Sequence, residues 1–507
     1  MSIQSIHDTL IYINSTVESI SSQFNRIPGS AIVLRYVQSS YQNDPIRTFL
    51  ELCLFLFAVR YFLASKYSVT KKDFIKLTTK EVDELVNEWT PEPLVASMTE
   101  AQQVDISKIP VIVGGTGPKV KLTTGRSVWN LASANMFNLV NSPALKEAAI
   151  KTLREYGVGT CGPSGFYGHQ EVHIKLEKDI SNFLRVPACL IYAQSANTIL
   201  STIPAFAKRG DIIVADSAVS IPIQKGLVIS RSTVRWFEHN DMEDLERVLQ
   251  QVQKDFKGQL LTRRFIVTEG LFENTGDIAN LPKIIELKKK YKYRVMLEES
   301  YSIGVLGKYG RGLSEFFNID PMEIDMIVGS LANTFCAGGG FCAGSEYVVK
   351  HQRINGNGYV FSASLPGYLA ATASEAVSIL QKSPDLFATL NSNTRAFRAI
   401  IDKSQYVTSP SDLESPVIHL RLSDEVVTTR KIVDEDRLLQ DVVDECVANG
   451  ILITRNKTVQ SQEVFPVEPS LKVIITTGLT KREIEKAATV VKAAISKVMA
   501  KTPKIKH

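Results

Sequence analysis

The sequence predicts an α/β protein: a mostly parallel central sheet flanked by helices, a smaller C-terminal α/β unit, and an N-terminal membrane helix. Two patterns carry this. From about residue 90, short apolar runs alternate with amphipathic stretches long enough to be helices, the arrangement that parallel pairing demands. Ahead of them lies the run Thr48 to Ala64, almost wholly apolar and near the roughly 17–25 residues that a bilayer span needs.

At the N-terminus, Ile3, Ile6, Leu10, Ile13, Val17 and Ile20 recur at spacings of three and four, which predicts an amphipathic helix detached from the next segment by Pro28-Gly29. Packing on the protein's own body and docking on a membrane or partner both fit it. The apolar run beyond holds Glu51 and Arg60 near its ends, where long side chains snorkel. Lys66, Lys71, Lys72, Lys76 and Lys80 come after it, against Arg26, Arg35 and Arg47 before it; if it spans, the bulk of the chain is cytosolic. The sequon at Asn14 would then be luminal. Spanning and interfacial placements both remain open on this reading. No secretory signal is expected, since no basic region precedes an unbroken apolar run.

Strands are expected at Leu190–Tyr192, Ile212–Ala215, Phe265–Thr268, Arg294–Leu297 and Met326–Val328. Helices are expected at Pro143–Glu155, with Ser142 as N-cap, and at Met242–Gln253 and Leu281–Tyr291. The C-terminal unit has strands near Val417–Leu422 and Leu471–Thr476 and helices near Glu435–Asn449 and Lys481–Met499. The expected division is 1–46, 47–66 (transmembrane), 67–110 (linker and arm), 111–384 (large domain) and 385–507 (small domain). "GGTGPK" at 114–119 lacks P-loop spacing and reads as a turn.

Composition narrows the function. A chain of 507 residues with 44% hydrophobic and 22% charged residues buries a sizeable core. Its net charge of +5 is spread without basic blocks interleaved with aromatics, which argues against nucleic-acid binding. Six cysteines, at 53, 161, 189, 336, 342 and 446, have no metal-ligand spacing and read as reduced thiols.

Six ordered stretches carry the chemistry: "YGVGTCGPSGFYG" (156–168), His173 to Glu177 as H-x-x-L-E, "TEGLFENTGDIANL" (268–281), "LGKYGRG" (306–312), "GGGF" (338–341) and "FSASLP" (361–366). In order and spacing they resemble the α-oxoamine synthases over roughly residues 90–500. These are pyridoxal-phosphate enzymes of the aspartate-aminotransferase fold (fold type I) that condense an amino acid with an acyl-CoA and lose carbon dioxide. The resemblance implies that fold. It also implies a lysine for the cofactor's Schiff base, an acid for the pyridine nitrogen and a histidine on the ring.

This chain departs at each position. Asn333 stands where the family has the lysine, Glu298 where it has the aspartate, and Tyr301 and Ser220 where it has histidines. Ala193-Gln194 replaces the glycine-aromatic pair ahead of the phosphate-binding helix, and Lys472 replaces the substrate-carboxylate arginine. Asn333 has no amine to form an imine. We read the site in this chain as lost, with no catalytic and no metal-binding residue expected.

The scaffold around it is retained. The pattern resembles those lysine-less subunits of the family that pair with a lysine-bearing sister in the endoplasmic reticulum membrane, catalytic body to the cytosol. The resemblance implies condensation of serine with palmitoyl-CoA, opening sphingolipid synthesis, with pyridoxal phosphate held covalently by the sister and small regulatory membrane subunits as further partners. It places Cys161, Tyr156 and Tyr167 at the subunit interface and the Ser362 hydroxyl near the sister's cofactor phosphate. A space-filling buried thiol at 161 and a hydroxyl bonded to local backbone at 362 are the plainer alternatives. Asp216, His173 and Glu299 read as structural. Lys308, Tyr309 and Arg311 read as an exposed basic loop. Two other functions stay open: a self-sufficient enzyme using another lysine such as Lys308, and a membrane scaffold or regulator with other partners.

Overall fold

The computed structural model describes residues 29–63, 77–260, 262–429 and 435–501. The expected amphipathic helix at 3–20, the sequon at Asn14 and Lys66 to Lys76 lie outside them. The chain forms two compact units, Met1–Gln102 and Gln103–His507.

In the first unit, helices α1 (Ser30–Asn43) and α2 (Pro45–Leu63) meet at Asp44, whose carboxylate accepts the Ile46 and Arg47 amides at 3.1 Å each. Helix α2 buries none of its residues: Phe49, Leu50, Leu54, Phe57, Phe62 and Leu63 are all more than half exposed. No helix among the described residues is long and apolar enough to cross a membrane. Of the span expected at 47–66, residues 47–63 lie in α2, which carries Arg47, Glu51 and Arg60, with Arg47 and Glu51 paired at 2.9 Å, and 64–66 lie outside the described residues.

The second unit is built on seven strands: β1 (Ala188–Tyr192), β2 (Ile212–Asp216), β3 (Thr233–Phe237), β4 (Arg264–Glu269), β5 (Arg294–Glu298), β6 (Met326–Ser330) and β7 (Gly340–Gly344). Their order across the sheet is β1-β7-β6-β5-β4-β2-β3. Only β7 runs against its neighbours. Residues of β2, β4, β5 and β6 are almost all buried because helices cover both faces, which is why these strands read as continuous apolar runs. Gly340 lets β7 lie close under the helix Ser195–Phe206; a Cβ there would run into Thr198 and the Gly329 carbonyl.

The helices used below are α3 (Pro143–Tyr156), α4 (Glu171–Leu184), α5 (Ser195–Phe206), α6 (Ile221–Ser230), α7 (Met242–Asp255), α8 (Leu281–Tyr291) and α9 (Glu346–Asn355). Proline opens α3 as expected, but the Ser142 side chain makes no capping bond. Two smaller sheets complete the unit. One joins Lys119–Leu122, Ser127–Asn130 and Ile451–Leu452, so the segment before the large sheet is closed by a late strand. The other contains β8 (Val417–Leu422) and β9 (Leu471–Ile474), paired antiparallel with His419 opposite Lys472.

Candidate active site

Parallel strands end together, so their last residues share one edge. Here β2 ends in Asp216, β4 in Glu269 and β5 in Glu298, and the register sets Glu269 beside Glu298. Both carboxyl groups are buried. Burial pushes Glu269 up to about 7 against the opposing hydrogen bonds from Ser220 and Glu273. The Ser220 amide donates at 2.6 Å and the Glu273 amide at 2.9 Å. Burial, then the charge of Glu269, drives Glu298 well above the carboxylate range, although the Ser300 hydroxyl and amide both donate to it. Two neighbouring carboxyls in a low-dielectric edge do not both ionise.

The turn between β6 and β7 carries Asn333, whose Nδ2 donates to the Ser300 carbonyl at 3.0 Å. Tyr301 donates its hydroxyl to Glu273 Oε1 at 3.2 Å, and Lys472 Nζ lies 3.5 Å from the same oxygen and 5.0 Å from the centre of the Tyr301 ring. Its strand partner His419 is fully buried between Ser470 Oγ and the Glu273 carbonyl, both at 2.9 Å. Burial, then the Lys472 charge, lowers His419 to about 3, so the imidazole is neutral. Lys472 is thus held by this chain's own groups.

Helix α5 starts after Ala193-Gln194 with no side-chain cap, although the Thr198 hydroxyl donates back to the Gln194 carbonyl at 2.9 Å. Asp216 accepts from the Ala218 and Asn240 amides at 2.8 Å and faces His239 Nδ1 at 2.9 Å; His239 Nε2 lies 3.0 Å from Asp277. Burial works against the imidazolium, but the hydrogen bonds to Asp216 and Asp277 outweigh it and raise His239 to about 10. Sequence reasoning missed His239, Glu269 and Glu273. The pairing of Asp216 with Phe237 brings "FEHND" (237–241) beside Asp216, the one signal that pointed to His239.

Two surface loops are knitted together at some remove in sequence. Pro163 bridges Ala363, the Ser364 amide donates to the Gly162 carbonyl at 3.0 Å, and the Ser164 and Ser364 hydroxyls are 2.7 Å apart. Cys161 stands exposed on them at φ 56°, so the space-filling thiol is corrected: its side chain has no core to fill. Tyr167 is 96% exposed, with Phe166 and Phe361 also on the surface. Tyr156 donates to Glu171 at 2.6 Å, and Ser362 donates to the Ala363 carbonyl at 3.3 Å, so its hydroxyl has a local backbone partner. Leu365 packs against Gly339 in the turn that carries Asn333, linking the loops to the strand-end site.

His173 donates Nε2–H to the Leu365 carbonyl at 2.6 Å and accepts the Gln170 amide at 3.0 Å; burial lowers it, and it fastens α4 to the 361–366 loop. Glu299 accepts from Ser302 at 2.5 Å and from the Leu313 amide at 2.9 Å, and burial lifts it to about 7. Arg311 departs from the exposed-loop expectation. It donates to the Phe183 carbonyl at 2.9 Å and pairs with Glu315 at 2.8 Å, because the turn is tied down through Glu315. Among the described residues no group of His, Cys, Asp and Glu is arranged to hold a metal.

Residues 126–491 match the family described as aminotransferase class I and II. The chain is 40% identical over 444 residues to serine palmitoyltransferase 1 of Dictyostelium discoideum, covering 85% of this chain and 92% of that protein. It is 37% identical over 515 residues to serine palmitoyltransferase 1 of Saccharomyces cerevisiae, covering 93% and 92%. It is 36% identical over 426 residues to long chain base biosynthesis protein 1 of Arabidopsis thaliana, covering 84% and 87%. Among solved structures, one of SPT with a PLP internal aldimine aligns with TM-score 0.70 at 20% identity, over 83% of this chain and 99% of that one. The serine palmitoyltransferase of Sphingomonas wittichii does so with TM-score 0.70 at 21%, over 83% and 99%, and both likenesses establish the fold.

Proposed function

We propose, taking as premise that the chain belongs to the class I and II aminotransferase family and to the serine palmitoyltransferase subunits within it, that it is the non-catalytic half of this acyltransferase. The reading rests on one observation above all: at the turn between β6 and β7 the side chain is the Asn333 amide, bonded to the Ser300 carbonyl. Asn333 has no amine for covalent attachment of pyridoxal phosphate, and the Lys472 ammonium faces Glu273 and sits over the Tyr301 ring. The residues present therefore do not fit a covalently held cofactor.

The cofactor is held by a lysine-bearing sister subunit, where serine and palmitoyl-CoA condense. This chain contributes a rigid surface to that site. Cys161 and Tyr167 stand exposed on knitted loops, suited to shape a pocket across an interface, with Ser362 on the same loop pair and Tyr156 at its base. The apolar side chains of α2, exposed along the helix, support attachment to the endoplasmic reticulum membrane with the catalytic body in the cytosol, where small membrane subunits join the complex. The test is absorbance of the isolated full chain titrated with pyridoxal phosphate. No internal-aldimine band is expected, before or after Lys308→Ala; a band removed by reduction and mapped to a lysine of this chain would overturn the proposal.

A further inference from the structure

At the opposite edge of the large sheet, the amino ends of β4, β5 and β6 open into a cleft of 480 Å³ lined in part by Arg263, Arg294, Phe206, Met326, Tyr347 and His351. None of its lining residues is acidic. Its volume falls within the roughly 300–1,000 Å³ of small-molecule sites.

The two guanidinium groups have donors to spare. Arg263 spends one N–H on the Phe206 carbonyl at 2.8 Å, and no carboxylate pairs with its side chain among the described residues. Among the described residues the carboxylate facing the Arg294 guanidinium is that of Asp325, in a long contact of 3.9 Å. The other Asp325 oxygen is taken by Lys288 at 2.6 Å and by the Val295 amide at 2.8 Å. One wall is aromatic, its two rings tilted 36° to one another. The Phe206 and His351 rings lie 4.7 Å apart, and His351 is fixed by Nε2–H to the Ala205 carbonyl at 2.9 Å, while Tyr347 is 85% exposed at the rim. Forked donors beside an aromatic wall recognise an anion joined to a planar ring, the guanidinium binding the phosphate and the rings stacking on the base.

We propose that this cleft binds a nucleoside phosphate. It faces away from the strand-end carboxylates, so the ligand would act on the subunit rather than on the reacting groups, and the proposal holds whether or not this chain is catalytically silent. Calorimetric titration of the full chain with adenosine monophosphate, adenosine and inorganic phosphate tests it. Adenosine monophosphate should bind saturably, and more tightly than either fragment. Arg263→Ala combined with Arg294→Ala should weaken it by about tenfold or more, the loss of two charge-assisted contacts, with the melting temperature unchanged because both side chains are exposed. Arg294→Ala alone should weaken it by a smaller factor, so the test survives if the double variant misfolds. Absence of saturable binding, phosphate binding as tightly as the nucleotide, or affinity untouched by both variants would overturn the proposal.

Discussion

Replacing Lys472 by methionine separates a retained substrate ligand from a structural ion. The side chain is 10% exposed, lies 3.5 Å from Glu273 Oε1 and sits over the Tyr301 ring at 5.0 Å. Breaking a fully buried pair costs about 3–5 kcal/mol. Glu273 is 37% exposed, so water takes over part of its solvation and the ionic part falls toward the ~1 kcal/mol of surface pairs. The cation over Tyr301 adds about 0.5–2 kcal/mol, and methionine recovers most of the stem's packing. The sum is about 2 kcal/mol, which at a slope of about 3 kcal/mol per molar or more lowers the urea midpoint of this chain by about 0.5 M. In the assembled enzyme the KM for serine should stay within about twofold, because an ammonium engaged by Glu273 binds no substrate. A midpoint that does not move, together with a KM for serine raised about tenfold, would refute this reasoning and make Lys472 a substrate ligand.

The same geometry sets further outcomes. His239 is raised to about 10 from an ordinary 6.5, so its stabilising effect is fully present below pH 6.5 and is lost as pH rises through about 10; the stability gap between wild type and His239→Asn, measured by urea melts, should narrow across that window. A gap constant with pH would mean the imidazole acts only by packing. Gly168→Ala would drive its methyl into the Gly162 carbonyl, so it should destabilise the chain by about 1–3 kcal/mol and expose the 159–168 loop to proteolysis; an unchanged melt would contradict the interlock. Cys161→Gly relieves a positive φ and removes an exposed side chain, so the chain should be as stable or up to about 1 kcal/mol more stable, while activity or amino-acid choice of the assembled enzyme changes. Unaltered turnover and selectivity would remove Cys161 from the interface.

Much of the sheet was legible because buried parallel strands are written as apolar runs: Ile212-Ile-Val-Ala and Phe265-Ile-Val could scarcely pack any other way. Strand β7 was hidden. Glycine at both ends leaves its apolar run too short to mark it, and only pairing on both sides, with β1 and β6, makes Gly340–Gly344 a strand. Edge strand β3, with Arg235 exposed, Thr233, Val234 and Trp236 half-buried and only Phe237 buried, lacks the continuous run of its neighbours. Ser142 has the right residue type for a cap and proline follows it at the first helical position, yet its hydroxyl makes no capping bond. In the site, Asn333, Glu298, Tyr301, Ser220 and Lys472 were found from ordered motifs. Glu273 was not, because its grip on Lys472 and Tyr301 joins residues far apart in sequence. The apolar run at 48–64 reads as near-spanning by length, and its described part is one helix that carries Arg47, Glu51 and Arg60.

The central claim is that this chain is required for, but does not perform, the condensation. The most direct measurement co-expresses it with a lysine-bearing sister, purifies the complex through a tag on this chain, and assays serine with palmitoyl-CoA beside each chain alone. Activity in the complex only, abolished by replacing the sister's lysine and surviving Lys308→Ala and Lys472→Ala in this chain, is the predicted result. Turnover by this chain alone, or by a complex whose sister has lost its lysine, would contradict it.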